Sequence, residues 1–556
     1  MSSSTKKQLR KEMKANAKAE RQKQEQAEAK KLKIMTIVFV LVIVAVAAYF
    51  IISNTVRTVN NNGVFEKNSV AATVGDEEIN SVVMNYYFMD TVSMDYNEKS
   101  EIYGDYTSSY FSSMGLDLKK PLNEQVYNEE TGETWADHYL HQAYESLKSD
   151  YALYALAQQE NFQLPEDVQA NLDNMMTNLQ FSAAFSGASS VDSYLRSVYG
   201  NGADEDNYKE YQTVSATASA YYNAHADSLA YTDADYRAYE NAENRYNKFS
   251  AYTFNSYYVN HTSFLTGGTK DEDGKTTYSE DEKDAARKAA EAAAMTLAST
   301  TNVEELDAEI GNLSYNKDLA TKPTSTANTN VMHTSLHEEY AEWLSDKARV
   351  EGDVKYFPST SKTTVDGQEK EVVNGYYVLM FKSRNDNLEK VDDVRHLLVN
   401  FEGGTTDDNG NTTYSDAEKA TAKAAAEALL KQWKDGEATE ESFITLVHDN
   451  TDDTASAETG GLYEDIHRDS NYVENFRAWA IDPARKVGDT GIVESPYGYH
   501  IMYYVGEGDL TYRDYMIKNE LIAADMEKWH TGIIDGTTFV EGDTEYIKLD
   551  MIYQAA

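Results

Sequence analysis

Apolar residues occur along this chain in three patterns, and each pattern predicts a different kind of element. Near the N-terminus, the nineteen residues from Ile34 to Ile52 carry no charge, and only Thr36 among them is polar. In the following part of the chain, apolar residues recur at helical spacing, which predicts amphipathic helices. Towards the C-terminus, short runs of β-branched, leucine and aromatic residues are bounded by turn formers, which predicts strands.

The N-terminal apolar run has the length of a membrane-spanning helix. At about 1.5 Å per residue, residues 34–52 would extend roughly 28 Å, close to a hydrocarbon core of about 30 Å. Residues 1–33 hold eleven Lys and Arg against four Glu, a net charge of +7. Because basic flanks stay in the cytoplasm, we predict a single-pass plasma-membrane protein with a cytoplasmic N-terminus and an exported bulk. A cleaved signal peptide is the alternative, since Ala45-Val46-Ala47 is a candidate cleavage site.

The next part of the chain predicts a mostly helical domain. Residues 53–68 are polar and predict a tether, and a short strand and turn from Ala71 lead into a helix capped near Asn80. Further helices are predicted at Trp135 to Glu160, Leu164 to Leu179, Val191 to Val198, Asp206 to Asp227 and Thr232 to Asn247. We therefore assign residues 69–248 to one helical domain.

The stretch from Val394 to Tyr504 alternates between strand and helix patterns. It opens with Val-Arg-His-Leu-Leu-Val and closes with Tyr-Gly-Tyr-His-Ile-Met-Tyr-Tyr, so that His396 and His500 lie in predicted strands. The helical patterns between these runs are at Ser415 to Trp433, at Glu440 to Val447 and around Phe476 to Ala480. The predicted order is strand, helix, helix, loop, helix, strand, strand.

This stretch resembles a parvulin peptidyl-prolyl isomerase domain in five pieces that follow the family order. The pieces are His396, the pair Gly460-Gly461, Phe476, the run Gly488-Asp489-Thr490-Gly491-Ile492-Val493 and the run Tyr497-Gly498-Tyr499-His500-Ile501. The resemblance implies an α/β parvulin domain at residues 391–507. It also implies that the protein is a peptidyl-prolyl cis-trans isomerase whose activity is confined to that domain.

The resemblance implies roles for six residues in a reaction that needs no nucleophile. An X–Pro bond isomerises unaided in about 10–100 s over a barrier near 20 kcal/mol. An enzyme can hold the proline ring in an apolar cup and replace water around the twisting amide with fixed dipoles. By position, the cup is Phe476 with Tyr472, the polar side is Asp452 with Ser495, and His396 and His500 are the paired histidines that fix the geometry.

A non-catalytic function stays open as the alternative. The family usually has Gly-Gly-Asp-Leu-Gly where this chain has Gly460-Gly461-Leu462-Tyr463-Glu464, so the loop below the cup is altered. Histidines in apolar strands are also common as core residues, Phe476 fits a helix core face, and Asp452 lies in a sequence typical of turns. The alternative is a membrane-anchored chaperone or scaffold whose parvulin domains are inactive.

An internal repeat predicts a second parvulin-like domain earlier in the chain. The run from Gly267 to Ser279 matches the run from Gly403 to Ser415, 136 positions later. The same offset relates Tyr340 to Phe476. A repeat of this length indicates a duplicated structural unit rather than a shared turn.

The earlier copy lacks the residues that the resemblance makes catalytic. Alignment of the strands puts Ser256 at the position of His396, and Tyr377 at the position of His500. We predict a degenerate parvulin-like domain at residues 249–390, which serves as a surface rather than as a catalyst.

The repeated loops approach a calcium-binding pattern but fit a simpler interpretation. Asp271 and its neighbours have the spacing of calcium ligands, yet Thr269 and Thr405 stand at the first ligand position. Asp273-Gly274 and Asn409-Gly410 are typical of hairpin turns. Two capping boxes follow them, Ser279-x-x-Glu282 and Ser415-x-x-Glu418. Since no zinc spacing, Ser/His/Asp arrangement or phosphate loop occurs either, we predict no metal and no cofactor.

The charge of the chain argues against nucleic acid as a partner. The net charge is −43 and the N-terminal arm contributes +7, so the remainder carries −50. Phosphate binding requires Lys and Arg, which this remainder has too few of. The chain has no cysteine, which excludes disulfides, thiolate metal sites and a cysteine for lipid attachment.

The whole arrangement resembles extracytoplasmic foldases of the PrsA and SurA kind, which carry a helical chaperone domain beside parvulin domains. The resemblance implies unfolded or newly exported proteins as partners, leaves a homodimer open, and implies that the C-terminal helix in residues 508–556 packs on the chaperone domain. The predicted fold class is multidomain α+β. It combines an N-terminal transmembrane helix, a mostly helical chaperone domain and two parvulin-like α/β domains, the first of them degenerate.

Overall fold

The computed structural model describes residues 63–270, 274–365, 368–407 and 411–552. The predicted arm and transmembrane helix (residues 1–52), most of the tether, and the loop positions 271–273 and 408–410 lie outside these ranges. Inside them, no helix combines the length and the apolar character that a membrane crossing requires. The described residues divide into two units, one made of residues 63–230 together with 522–552, the other of the described residues within 231–521.

The elements follow in chain order. The helices are α1 Val64–Asn68, α2 Ser81–Tyr103, α3 Thr107–Ser113, α4 Trp135–Gln159, α5 Glu166–Phe185, α6 Val191–Tyr199, α7 Glu205–Ser228, α8 Asp233–Asn241, α9 Glu280–Leu297, α10 Val303–Asn312, α11 Glu338–Ser345, α12 Asp416–Lys434, α13 Glu440–Asn450, α14 Glu474–Ala480 and α15 Tyr512–Gly536. The strands are β1 Val70–Val74, β2 Glu77–Asn80, β3 Val126–Asn128, β4 Glu133–Thr134, β5 Ala251–Asn260, β6 Thr269–Lys270, β7 Thr276–Thr277, β8 Thr326–Met332, β9 Val354–Val365, β10 Gln368–Asn385, β11 Lys390–Asn400, β12 Thr405–Thr406, β13 Thr412–Thr413, β14 Leu462–Ile466, β15 Thr490–Glu494, β16 Gly498–Thr511 and β17 Phe539–Glu541.

Side-chain caps fix the starts of several helices where the sequence predicts them. The Asn80 side chain accepts hydrogen bonds from the backbone N–H groups of Val82 and Val83 at the start of α2. Ser279 and Ser415 form the predicted capping boxes at α9 and α12. Each such cap stabilises its helix by about 1 kcal/mol, and these predictions are confirmed.

The boundary between the two units differs from the predicted end of the helical domain at residue 248. Helix α8 belongs to the second unit and continues as 3₁₀ turns over Ala242–Phe249. There, Tyr236 and Phe249 are buried with Ile517 in one apolar cluster. Helical periodicity identifies α8 but does not identify the cluster that its apolar face joins, and the assignment of residues 69–248 to one helical domain stays a prediction.

Tyrosines form much of the core of the first unit. The ring of Tyr86 on α2 lies 4.8 Å from that of Tyr199, 5.2 Å from that of Tyr208 and 5.1 Å from that of Tyr211. The hydroxyls of Tyr199 and Tyr211 donate to the carboxylate of Asp90 at 3.1 and 2.7 Å. Buried phenols need hydrogen-bond partners, and this shared carboxylate gives part of the tyrosine-rich composition a structural role.

Residues 522–552, the last ones that the structure describes, belong to this first unit. Strand β17 pairs antiparallel with β1, and β1 pairs in turn with β2. The ring of Phe539 lies 5.5 Å from that of Tyr144 on α4, and Trp529 on α15 stacks 3.9 Å from His225 on α7. Residues far apart in sequence thereby complete one core.

Two four-stranded antiparallel sheets dominate the second unit. Their strand orders are β8-β5-β10-β9 and β14-β11-β16-β15. If the four strands of each sheet are numbered by their order along the chain, the two sheets have the same strand order. Two helices cover one face of the first sheet, where Ala290 and Ala294 of α9 and Ile310 of α10 pack on Val378. With the helical first unit, these sheets confirm the multidomain α+β class.

The second sheet buries both of its faces, which explains the nearly continuous apolar runs in its strands. One face packs Leu397, Ile501 and Tyr503 against α12 and α13. The opposite face packs Val394 and Met502 against α14. Because side chains alternate along a strand, the even-numbered His396 and its neighbours point to the α14 side. The histidines of the predicted site therefore lie beneath a single short helix.

Candidate active site

His396 and His500 meet on adjacent strands of the second sheet. The pairing of β11 with β16 puts His500 opposite Leu398 and Met502 opposite His396, so the two histidines are diagonal neighbours on one face. Their Nδ1 atoms are 3.0 Å apart, a hydrogen-bond distance, and both rings are buried. The structure therefore brings together two residues that are 104 positions apart in sequence.

The histidine pair continues into a chain of four polar side chains. The Nε2 atom of His396 lies 3.0 Å from Oδ2 of Asp453, and the Nε2 atom of His500 lies 2.9 Å from Oγ of Ser495. The order is therefore Asp453, His396, His500, Ser495. Three of the four predicted catalytic residues are members of this chain, and their catalytic roles stay predictions.

Burial and hydrogen bonding set the charges of two residues in this chain, His500 and Asp453. Burial lowers the pKa of His500 to about 3, helped by the neighbouring His396, so the His500 ring is neutral at physiological pH. Burial would raise the pKa of Asp453, but hydrogen bonds from His396 and Ser456 outweigh it and hold that pKa well below its usual range. The site thus holds a carboxylate charge beside His396 and a neutral ring beside the cleft.

Because His500 is neutral, the hydrogen bonds that link these four side chains can be arranged in two ways. In one, His500 donates from Nδ1 to His396 and accepts at Nε2 from the hydroxyl of Ser495. In the other, His396 donates to His500, which donates from Nε2 to Ser495, whose hydroxyl then donates to the carbonyl of Gly498 at 3.2 Å. The second arrangement places protons on both nitrogens of His396, opposite the Asp453 carboxylate. In either arrangement, every polar side-chain atom of the four linked residues has a hydrogen-bond partner.

The structure puts Asp453, and not the predicted Asp452, against the histidines. Asp452 accepts a hydrogen bond from the backbone N–H of Asn400 at 2.9 Å, and its own N–H donates to the carbonyl of Leu398 at 2.8 Å. These bonds fasten the loop after α13 to strand β11. The two aspartates are adjacent in sequence, and only the fold decides which one faces His396, so sequence spacing could not separate them.

Three aromatic rings form a cup over the histidine pair. The ring of Phe476 on α14 lies 5.3 Å from each histidine ring and meets both edge to face. Tyr472 lies 5.5 Å from Phe476, as the sequence predicts for the two walls of the cup. Tyr463 is the third ring, 5.5 Å from Tyr472.

Tyr463 was not among the predicted site residues, although it lies in the altered loop. Its hydroxyl donates to Oδ2 of Asp453 at 3.2 Å, and its ring meets His396 edge to face at 4.9 Å. Burial, together with the nearby Asp453 charge, raises the pKa of Tyr463 to about 12. The family's usual leucine could form the apolar wall here but could not make this hydrogen bond. The departure from the family pattern was the signal that could have identified Tyr463.

The Gly460-Gly461 pair brings this loop against the backbone of His396. Gly461 has a φ of 76°, and a Cβ added there would lie 2.1 Å from the carbonyl oxygen of His396. The N–H of His396 donates to the carbonyl of Gly461 at 2.9 Å. Glycine is needed at this position because no other residue allows both the left-handed backbone and the close approach.

The cup opens into a cleft of about 350 Å³, the small end of the range for ligand sites. Its lining residues are His396, Leu398, Asp453, Tyr463, Asn471, Tyr472, Val473, Phe476, Tyr497 and His500. Asp453 is the one ionised carboxylate among them, and the lining includes no Lys or Arg. The cleft has room for one side chain, with aromatic walls and a hydrogen-bonded floor. Within the described ranges, this cleft included, His, Asp and Glu do not gather in groups of three that could hold a metal.

Comparison with known proteins agrees with this geometry. Residues 396–506 match the family model described as Rotamase: PPIC-type PPIASE domain. This part of the chain is a PPIC-type peptidyl-prolyl isomerase domain. The match begins at His396 and includes the predicted residues from Asp452 to His500.

Solved structures similar to this chain include three PrsA proteins from Bacillus species. A peptidylprolyl isomerase (PrsA) from Bacillus anthracis is 22% identical, over 27% of this chain and 59% of that one, with a TM-score of 0.17. PrsA from Bacillus subtilis is 23% identical over 26% and 47%, with a TM-score of 0.17. A peptidylprolyl isomerase (PrsA) from Bacillus cereus is 23% identical over 27% and 50%, with a TM-score of 0.16. The chain thus spans less than two thirds of each structure's length, and no curated protein matches it.

The first sheet offers a direct contrast with the PPIC-type domain. The register of β5 with β10 puts Tyr377 opposite Tyr258, as β11 and β16 put His500 opposite Leu398. Ser256 accepts a hydrogen bond from the side chain of Asn328 at 2.9 Å. The ring of Tyr377 is packed 4.9 Å from that of Tyr258. In the first sheet, serine and tyrosine contacts therefore occupy the place where the PPIC-type domain has its linked histidines.

Proposed function

We propose that the PPIC-type domain catalyses cis/trans isomerisation of X–Pro bonds in unfolded proteins exported across the plasma membrane. The observation that carries the proposal is the aromatic cup lying directly over the chain from Asp453 to Ser495. In the twisted amide, conjugation is lost, and water that solvates the planar amide must rearrange. A site with fixed dipoles avoids that rearrangement, which is how preorganised environments lower barriers.

Each part of the site has a task in this reaction. The ring of Phe476, with Tyr472 and Tyr463 around it, holds the proline ring and excludes water from it. The neutral His500 and its hydrogen-bonded partner Ser495 present dipoles whose direction the rest of the chain fixes. Because no bond to the substrate forms and no proton has to leave, the histidines act by holding geometry rather than by acid–base exchange.

The first sheet serves, in this proposal, as a degenerate parvulin-like domain without isomerase activity. Its equivalent positions hold Ser256 and Tyr377, which supply neither a paired imidazole nor an open cup. Tyr377 instead packs 5.5 Å from Tyr340, the residue equivalent to Phe476. A packed aromatic surface of this kind suits a structural role.

The helical first unit is proposed to hold unfolded clients. Two phenylalanines one turn apart at the end of α5, Phe181 and Phe185, are 65% and 81% exposed. Large apolar residues exposed side by side are typical of interaction surfaces. The strongly acidic composition keeps such a surface soluble while it binds apolar segments.

The chain is further proposed to be anchored in the plasma membrane by residues 34–52, with residues 1–33 in the cytoplasm. Support comes from the length of the apolar run and from the basic residues before it. Protease added to intact, wall-stripped cells is expected to digest epitopes after Asn60 and to spare the arm. Protection of the larger part would contradict this topology.

A pair of matched variants tests where the activity lies. Phe476→Leu in the full chain keeps most of the apolar volume of the cup but removes its flat ring. We expect kcat/KM for a model X–Pro peptide to fall about tenfold, equivalent to about 1.4 kcal/mol of transition-state stabilisation. Tyr340→Leu makes the corresponding change over the first sheet and is expected to leave the rate unchanged. The rates are measured by exchange spectroscopy after circular dichroism has established that both variants fold.

The same experiment distinguishes the two candidate functions. An equal loss from Phe476→Leu and Tyr340→Leu would contradict the assignment of activity to one domain. A wild-type chain that folds and suppresses aggregation but shows no isomerase rate would favour the non-catalytic scaffold. The scaffold function is retained as the second candidate because the first sheet already lacks the histidine pair.

A further inference from the structure

The loop that carries one wall of the cup, residues 467–473, contacts the first turn of helix α15. It joins β14 to α14, and its last three residues line the isomerase cleft: Asn471, Tyr472 and Val473. The ring of His467 stacks on the ring of Tyr512, with centroids 4.1 Å apart and planes 15° from parallel. The ring of Tyr515 lies 5.0 Å from that of His467. Both tyrosines lie beyond residue 506, where the match to the isomerase family model ends.

Tyr512 makes two further contacts with this loop. Its hydroxyl donates to Oδ2 of Asp469 at 2.8 Å, and the guanidinium of Arg468 lies 5.0 Å from the centroid of its ring. Together with the stack on His467, one side chain thus contacts three consecutive residues of the loop. Tyr512 is only 5% exposed, so its ring contacts are shielded from water.

The backbone of Tyr512 is fixed independently of the loop. Its N–H donates to the carbonyl of Glu389 at 2.8 Å, just before the chain enters β11. The start of α15 is capped as well, because the hydroxyl of Thr511 donates to Oδ2 of Asp514 at 2.8 Å and accepts from the N–H of Asp514 at 3.0 Å. Since β11 carries His396, Tyr512 attaches the loop to the same sheet that holds the histidine pair.

Hydrogen bonds inside the loop connect its anchored residues to Tyr472. The N–H of Ser470 donates to the carbonyl of His467 at 3.0 Å, and the N–H of His467 donates to Oγ of Ser470 at 2.9 Å. The N–H of Tyr472 donates in turn to the carbonyl of Ser470 at 2.8 Å. Burial lowers the pKa of His467 to about 4, so its ring is neutral, and its Nδ1 accepts from the N–H of Asp469 at 3.3 Å. The loop therefore has a bonded shape, and a displacement at Tyr512 would displace Tyr472.

We propose that Tyr512 is a positioning residue of the isomerase, which holds residues 467–473 against the sheet and so keeps Tyr472 in the wall of the cup. Tyr512 does not line the cleft, so it acts through the loop and not on the substrate. The inference rests on the proposed isomerase function, because the position of this wall matters to turnover only if a proline occupies the cup.

Loss of the contact is expected to change KM rather than kcat. A displaced wall weakens the hold on the proline ring equally in the planar and in the twisted amide, and an interaction lost equally from both states raises KM alone. The four linked polar residues lie on other segments than this loop, so their geometry is kept. A merely structural role would instead reduce the fraction of folded enzyme, which lowers the apparent kcat at an unchanged KM.

The test measures KM and kcat of the full chain for a model X–Pro peptide, by exchange spectroscopy over a range of peptide concentrations. Tyr512→Leu removes both the stacked ring and the hydroxyl. We expect its KM to rise about fivefold with kcat within about twofold of the wild type, the size of effect that an aromatic pair has on affinity. Tyr512→Phe keeps the ring and loses only the bond to Asp469, so its KM is expected to rise about twofold.

Tyr503→Leu is the matched control within the same domain. Tyr503 is 6% exposed, but its ring packs on the opposite face of the sheet, 5.3 Å from that of Phe443. This variant is expected to lower stability, as Tyr512→Leu does, and to leave KM unchanged. An unchanged KM in a folded Tyr512→Leu, or an equal rise in both leucine variants, would overturn the inference. If Tyr512→Leu does not fold, Tyr512→Phe decides, and a KM equal to that of the wild type overturns the inference.

Hydrogen exchange separates a failure of this inference from a failure of the proposed function. The N–H groups of Ser470 and Tyr472 are bonded inside the loop, and we expect them to exchange about tenfold faster in Tyr512→Leu than in the wild type. In Tyr503→Leu they are expected to keep about the wild-type rate. A wild type without isomerase activity would overturn the proposed function, and the dissociation constant of the same peptide would then replace KM. Equal exchange of these two groups in Tyr512→Leu and in the wild type would overturn the positioning role, whether or not the wild type is active.

Discussion

Gly461→Ala is expected to destabilise the isomerase domain by at least about 3 kcal/mol and to abolish its activity. Alanine at a φ of 76° costs about 1–2 kcal/mol for the left-handed backbone alone. In addition, the new Cβ would lie 2.1 Å from the carbonyl oxygen of His396, so the loop and strand β11 must separate. That movement breaks the bond from the N–H of His396 to Gly461 and displaces the histidine itself.

Gly488→Ala separates these two costs in the same domain. Gly488 has a φ of 88°, but the atom nearest to an added Cβ is the hydroxyl oxygen of Tyr503 at 3.9 Å. The control therefore carries the backbone strain without the clash, and we expect a loss of only about 1–2 kcal/mol. Hydrogen exchange resolved to residues 390–507 would measure both variants in the full chain. Similar losses for the two would show that the close approach to His396 does not matter.

The sequence predicted those parts of the site that a strand or helix pattern can locate. His396 and His500 each lie in an apolar run, so their strands were predictable, and alternation along β11 and β16 then fixes which face they share. Phe476 was predictable for the same reason, because its helix has one apolar face. These positions depend on local periodicity, which tertiary packing preserved.

The remaining parts depend on contacts between segments, which periodicity does not contain. The choice between Asp452 and Asp453 is made by a loop fastened to Leu398 and Asn400 through hydrogen bonds. Tyr463 enters the cup because β14 pairs with β11, and that pairing brings its hydroxyl to Asp453. A turn sequence predicts that the chain reverses but not where its side chains end, so the polar half of the site needed the fold.

The repeat shows the same division on a larger scale. The offset of 136 positions predicted a second copy, and the two sheets do share one strand order. What the repeat could not predict is the set of interactions that replaces the histidines. The side chain of Asn328 on β8 donates a hydrogen bond to the hydroxyl of Ser256, an arrangement that exists only once the sheet has formed.

Arg513→Met is expected to destabilise the second unit by about 3 kcal/mol. Arg513 has no exposed side-chain surface; its Nε donates to the carboxylate of Glu240 at 2.6 Å, and its guanidinium lies 4.0 Å from the ring of Tyr246. Removing one partner of a buried ion pair leaves the other charge unpaired, which typically costs about 3–5 kcal/mol. The lower end applies because Arg237 still donates to Glu240 at 2.7 Å.

Two further variants show whether the cost comes from the buried charge. Lys362→Met removes a partner from the exposed pair with Glu369, 3.5 Å apart, and is expected to cost less than about 1 kcal/mol. Adding Glu240→Gln to Arg513→Met removes the buried carboxylate that has lost one of its two arginine partners, and it is expected to restore part of the lost free energy. Urea unfolding of the four proteins, followed by hydrogen exchange in residues 231–521, measures these differences. A double variant no more stable than Arg513→Met alone would mean that the arginine acts through packing on Tyr246 and not through its charge.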